Sequence, residues 1–176
     1  MMHRDAALVR GVGQWTGLVL FGVLLSVLAA HVGAVGLDIM TAIRYPFELG
    51  YAEGIVWQQA ALIPGPRMYG TSQDLPFIVF NYPPLYYLLA RAALLMQPDL
   101  LAAGRFVSAL STVLIAPSVA GLVLIASQRR GQPISAIEVG CAMAAAMLVL
   151  CLPAVRSCGA MMRPDVLAVA LSMMDC

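Results

Sequence analysis

The stretch Pro84-Leu85-Tyr86-Tyr87-Leu88-Leu89-Ala90-Arg91-Ala92-Ala93-Leu94-Leu95-Met96-Gln97 decides the topology of the chain, and with it the fold. It is apolar enough to suggest a membrane crossing. As a helix, however, it would measure only about 21 Å against the roughly 30 Å of a hydrocarbon core. Arg91, at its middle, would cost about 2.5–3.5 kcal/mol at the bilayer centre. The run therefore reads as a juxtamembrane helix that starts at the Pro83-Pro84 step, keeps Arg91 as an interfacial anchor and does not cross.

The segments on either side of it do read as spans. Downstream, 106–127 supplies about 22 apolar residues and ends in Gln128-Arg129-Arg130, a basic stop. Upstream, a polar leader at 1–14 carries Arg4 and Arg10 and precedes about 21 mostly apolar residues at 15–35. A cleaved secretory signal is the competing reading of that first run, but it is long for such a segment and the small-residue pattern near Ala34 is weak. With the leader and Arg129-Arg130 both cytoplasmic, as the positive-inside rule prefers, 36–105 faces outside. Had 84–97 crossed, Arg129-Arg130 would be external.

After a cytoplasmic loop at 128–138, a third span at 139–155 is rich in alanine and glycine, which lets neighbouring helices approach closely. It returns the chain to an external loop at 156–165. From 166 a further apolar run lasts about nine residues before Asp175-Cys176, half of what a span needs, so the sequence reads as stopping inside a fourth span. The expected fold is an all-α polytopic membrane protein with three complete transmembrane helices, the start of a fourth, and a long external loop. Within that loop an amphipathic helix is expected at about 48–63, ended by Pro64-Gly65-Pro66. Arg67-Met68-Tyr69-Gly70 would turn the chain into an irregular connector at 71–81, ahead of the second juxtamembrane helix at 84–97.

Composition supports this class. Of the 176 residues, 61% are hydrophobic and 11% charged, where soluble domains carry about a quarter charged. Mean hydropathy is +0.88. A net charge of +1, with no basic stripe and no aromatic stacking motif, excludes a nucleic-acid partner. All ten basic residues are arginine, so any phosphate contact would use the planar guanidinium fork. Cys141, Cys151, Cys158 and Cys176 show no metal-ligand spacing and read as small core residues. No metal cluster, nucleophile elbow, P-loop or dinucleotide fingerprint is present, so no cofactor is assigned, and a divalent cation stays open.

This topology gathers Asp38, Glu48, Glu53, Arg67, Arg105, Arg156, Arg163 and Asp165 on one face of the membrane. Carboxylates beside arginines are what a transferase using an anionic lipid-phosphate donor needs. A carboxylate can deprotonate an acceptor, and arginines can neutralise the departing phosphate.

Four motifs carry a resemblance. They are Tyr51-Ala52-Glu53-Gly54, Tyr82-Pro83-Pro84-Leu85-Tyr86-Tyr87-Leu88, Gly104-Arg105-Phe106-Val107-Ser108-Ala109-Leu110, and Arg163-Pro164-Asp165. In this order and spacing the chain from Trp15 onward resembles the N-terminal half of GT-C glycosyltransferases, which include protein mannosyltransferases and lipid A aminoarabinose transferases. The resemblance implies a polyprenyl-phosphate-linked sugar as donor, a multi-pass protein of the bacterial inner membrane, and a catalytic acid in the first external loop. The family's loop often has an adjacent Asp-Glu pair, whereas Glu48 here follows Phe47 and Glu53 follows Ala52. Glu53 fits the motif best as the base and Glu48 second. Arg105 and Arg163 are the expected donor-phosphate contacts, with Tyr51, Asp165 and Tyr82 in support. The acceptor is left open. A non-catalytic membrane subunit and a transporter fragment are the alternatives, and the latter would line an intramembrane path with charge rather than collect it at one boundary.

Overall fold

The computed structural model of the chain describes residues 2–63, 65, 73, 82–128 and 133–175, with side chains from residue 15 onward. Among these residues there are seven α-helices and no strand. Helix α1 (Met2–Arg44) runs past the expected end at Val35 because nothing breaks it before Pro46, whose ring disfavours helix in the residue ahead of it. Helix α2 (Tyr51–Ala61) is shorter than the expected 48–63, which leaves Glu48 in the preceding turn.

Helix α3 (Leu85–Ala92) begins directly after Pro84 and tightens into a 3-10 turn at Ala93–Leu95. Helix α4 (Leu100–Ser127) is capped by the Asp99 carboxylate, which accepts the Ala102 N–H at 2.8 Å. Its early start places Arg105 inside the helix, on a buried face, rather than at the helix end. Helix α5 (Ala136–Cys151) opens on a reciprocal Ser135–Glu138 capping box. It breaks at Leu152-Pro153, and α6 (Pro153–Ala160) leaves at 63°. Helix α7 (Pro164–Met174) starts with its proline in the first turn, where a missing N–H costs nothing.

Two helical stretches, Trp15–Arg44 and Leu100–Ser127, are long and apolar enough to cross a membrane, and a third crossing exists if α5 and α6 count as one broken span. Of the expected three complete spans, two are unbroken helices and the third rests on the bent pair counting as one, and α7, at 11 residues, is well short of a span. The expected turn at Arg67–Gly70, most of the 71–81 connector, and the Arg129-Arg130 stop lie outside the described residues.

Helix α4 touches every other helix and is the axis of the bundle. Phe21 of α1 lies against Gly140 near the start of α5, while Asp38 near the end of α1 pairs with Arg156 of α6. Helices α1 and α5 therefore run side by side in the same sense. Helix α4 opposes them, because Arg105 near its start reaches the carbonyl of Ala42 near the end of α1. One end of the bundle consequently collects the end of α1, all of α2 and α3, the start of α4 and the α6–α7 junction. Its core is Val56, Ala60, Ile63, Tyr86, Tyr87, Ala103, Val107 and Met162.

Candidate functional site

The centre of that end is an ion pair. Arg105 and Glu53, 52 residues apart, are both fully buried. Arg105 Nε donates to Glu53 Oε1 at 2.9 Å and Nη2 to Oε2 at 2.8 Å, the two-pronged geometry in which guanidinium best matches carboxylate. Nη2 also donates to the Phe47 carbonyl at 2.7 Å, and Nη1 donates to those of Ala42 and Tyr45 at 2.6 Å each. Helix ends leave their last carbonyls without intrahelical donors, which is why the end of α1 can serve as an acceptor here. A guanidinium has five N–H donors, and all five are now committed.

Glu53 is equally occupied. Oε1 accepts the Met162 N–H and Oε2 the Leu49 N–H, both at 2.6 Å. Burial alone would push its acid up. The hydrogen bond from Arg105, those from the Leu49 and Met162 amides, and the positive charge beside it outweigh burial and hold it below the usual carboxylate range. With two donors on each oxygen and a depressed proton affinity, Glu53 in this geometry has neither the open lone pair nor the basicity that a general base needs. Arg105 likewise has no donor left for a phosphate.

Glu48 is exposed at this end, as are Asp38, which pairs with Arg156, and Asp99, which caps α4. The Glu48 carboxylate lies against the first turns of α2, so close that a Cβ on Gly54 would sit 2.6 Å from Oε1. Tyr51, at the start of α2, is 86% exposed. Across the end, Arg163 is half-buried and its Nη1 lies 3.9 Å from Cys158 Sγ. Asp165 and Tyr82 stand beside it. Burial first, and then the Asp165 carboxylate, push the Tyr82 hydroxyl above its ordinary value. The Arg163 backbone N–H donates to Ser108 Oγ at 3.2 Å, and Ser108 Oγ lies 2.9 Å from the buried Tyr86 hydroxyl. That hydroxyl donates to the Gly104 carbonyl at 2.8 Å.

The structure thus brings the expected residues together as one bonded pair, Glu53 with Arg105, and one cluster of Tyr82, Asp165 and Arg163. Glu48 and Arg163 are linked indirectly, because their chain neighbours Leu49 and Met162 bond to the same carboxylate. Met162 had no sequence signal, since its contribution is a backbone amide. Ser108 had one: a hydroxyl one helical turn beyond Arg105 in an apolar run. Among the described residues no three His, Cys, Asp or Glu side chains group as metal ligands. No family model, curated protein or solved structure matches the chain.

Proposed function

We propose that the chain forms the N-terminal part of a membrane glycosyltransferase that moves a sugar from a polyprenyl-phosphate carrier to an acceptor, with Glu48 as general base and Arg163 facing the donor phosphate. The observation that carries this reading is the division of labour at the polar end of the bundle. Glu53 and Arg105 neutralise each other completely, while Glu48 stays exposed and Arg163 stays half-exposed, held one residue away from the Glu53 ligands. Both open groups have the character that the transfer needs. Glu48 would take the proton of the acceptor hydroxyl or amine as that atom bonds to the sugar's anomeric carbon and the bond from this carbon to the phosphate oxygen breaks, and the departing phosphate would carry the electron pair towards Arg163.

In this reading Tyr51 and Tyr82 border the sugar and Asp165 orients Arg163. Helices α5 and α6 form one broken third span, α7 begins a fourth, and the polar end lies on the outer face of a bacterial inner membrane with the N-terminus cytoplasmic. Membranes carrying the chain within its full-length protein, supplied with radiolabelled polyprenyl-phosphate hexose and pentose, provide the test. Glu48→Gln should abolish transfer while leaving expression and thermal stability unchanged. Full transfer by Glu48→Gln would remove Glu48 from the mechanism. A non-catalytic membrane subunit is the second reading, favoured by the closed ion pair, which needs no substrate to explain it. Absence of transfer by the unmutated protein with every donor would select it.

A further inference from the structure

We infer that the Glu53–Arg105 pair is a positioning device, a single buried joint that fixes the turn carrying Glu48 relative to the turn carrying Arg163. Both turns are irregular. The first, 45–49, links α1 to α2, and the second, 161–163, links α6 to α7. Short irregular segments cannot hold themselves, so the question is where their backbone groups bond.

Most of the answers lead to the pair. Arg105 takes the carbonyls of Tyr45 and Phe47, and Glu53 takes the Leu49 N–H, so Glu48 is clamped at the residue before it and the residue after it. Glu53 also takes the Met162 N–H, which fixes the chain immediately before Arg163. Helix α4 completes the second grip with two neighbours of Arg105. Ser108 holds the Arg163 N–H, and Gly104 leaves the space that the Met162 side chain fills, since a Cβ there would meet Met162 Cγ at 2.3 Å. The turns also lie close together, since a Cβ on Gly50 would stand 3.7 Å from the Met161 sulfur.

Stability alone does not account for this arrangement. A buried arginine–carboxylate pair is commonly no better for stability than apolar side chains of the same volume. What apolar packing lacks is direction. Besides the two bonds that join Arg105 to Glu53, five hydrogen bonds converge on this pair from the end of α1 and the two turns, and each is angle-dependent, so a displacement of either side chain moves both turns. With Glu48 and Arg163 taken as the working groups, as proposed above, Glu53 and Arg105 act through them and touch no substrate.

The test uses the full-length protein in lipid nanodiscs with three variants: Glu53→Gln, Arg105→Lys, which keeps the charge and loses the fork, and Glu48→Gln. Amide hydrogen exchange at Leu49 and Met162 reports the joint, and steady-state transfer from a polyprenyl-phosphate hexose reports its consequence. Both pair variants should speed exchange at these two amides at least tenfold and lower kcat about 100-fold with KM little changed, as expected for a misplacement of roughly 1 Å. Glu48→Gln should abolish transfer and leave both amides protected. Unchanged exchange at Leu49 and Met162 in both pair variants overturns the inference. If the unmutated protein transfers no sugar, the catalytic reading fails while the joint is still decided by exchange.

Discussion

A charge buried without a partner is far more expensive than a buried pair, and this asymmetry governs what single substitutions do at the centre of the polar end. Removing either member of the Glu53–Arg105 pair strands the other charge at full burial, so Glu53→Gln and Arg105→Met should each lower stability by about 3–5 kcal/mol. The double variant Glu53→Gln/Arg105→Met should lose clearly less than the sum, which thermal unfolding in detergent measures as a double-mutant cycle. Acid provides an independent check. The native Glu53 acid is held below its ordinary value of 4.5, so the stability it contributes is present above that pH and is lost as pH falls through the depressed native value. Melting temperature should hold steady down to about pH 5 and then drop, and Glu53→Gln should flatten the part of the drop that Glu53 causes. Residue chemistry was partly legible in advance. An acid and an arginine in an apolar chain announce importance, and both stood out. That they would spend their valence on each other was not legible, because the decisive partners are backbone groups of Ala42, Tyr45, Phe47, Leu49 and Met162, and backbone amides carry no side-chain signature.

Helix α4 succeeds as a central element because its surface is cut to fit its neighbours. Met162 inserts at Gly104, and Thr112 presses on Gly159 of α6, where a Cβ would lie 2.5 Å from the threonine Oγ1. On α1, by contrast, nothing stands within 4 Å of a Cβ at Gly33 or Gly36. Gly159→Ala should therefore cost about 1–3 kcal/mol through overpacking. Gly36→Ala should be neutral or stabilising by roughly 0.5–1 kcal/mol through helix propensity alone. Unfolding of the two variants side by side separates a packed glycine from a free one. The helices themselves were legible where a hard signal bounded them, as at Pro83-Pro84 before α3 and at Pro164 in α7. Hydropathy misplaced the ends that polar residues extend, because a helix does not stop where apolar residues do. Residues 36–44 and 100–105 continue α1 and α4 beyond their apolar runs.

At the scale of the whole molecule the open question is which side of the membrane the polar end faces, and it turns on α5 and α6. Helix α5 has 16 residues, about 24 Å, and needs part of α6 to cover a core of roughly 30 Å, yet the two axes diverge by 63°. Met162 and Arg163, just past α6, bond to Glu53 and Ser108 at the polar end, whereas Gly140 near the start of α5 packs on Phe21 of α1, so the bent pair carries the chain from one end of the bundle to the other and sets Cys158 and Ser135 at opposite ends. Cys158 lies past the break, half-buried beside Arg163, and Ser135 caps the opposite end of α5. With Cys141, Cys151 and Cys176 replaced by alanine, intact cells treated with an impermeant maleimide should label Cys158. A Ser135→Cys protein that also lacks Cys158 should be labelled only after permeabilisation. The reverse pattern would turn the polar end towards the cytoplasm and withdraw a donor delivered at the outer face. Labelling of both from one side would withdraw α5–α6 as a third span. Only the first outcome sets Glu48 and Arg163 at the outer surface with an odd number of spans between them and the leader.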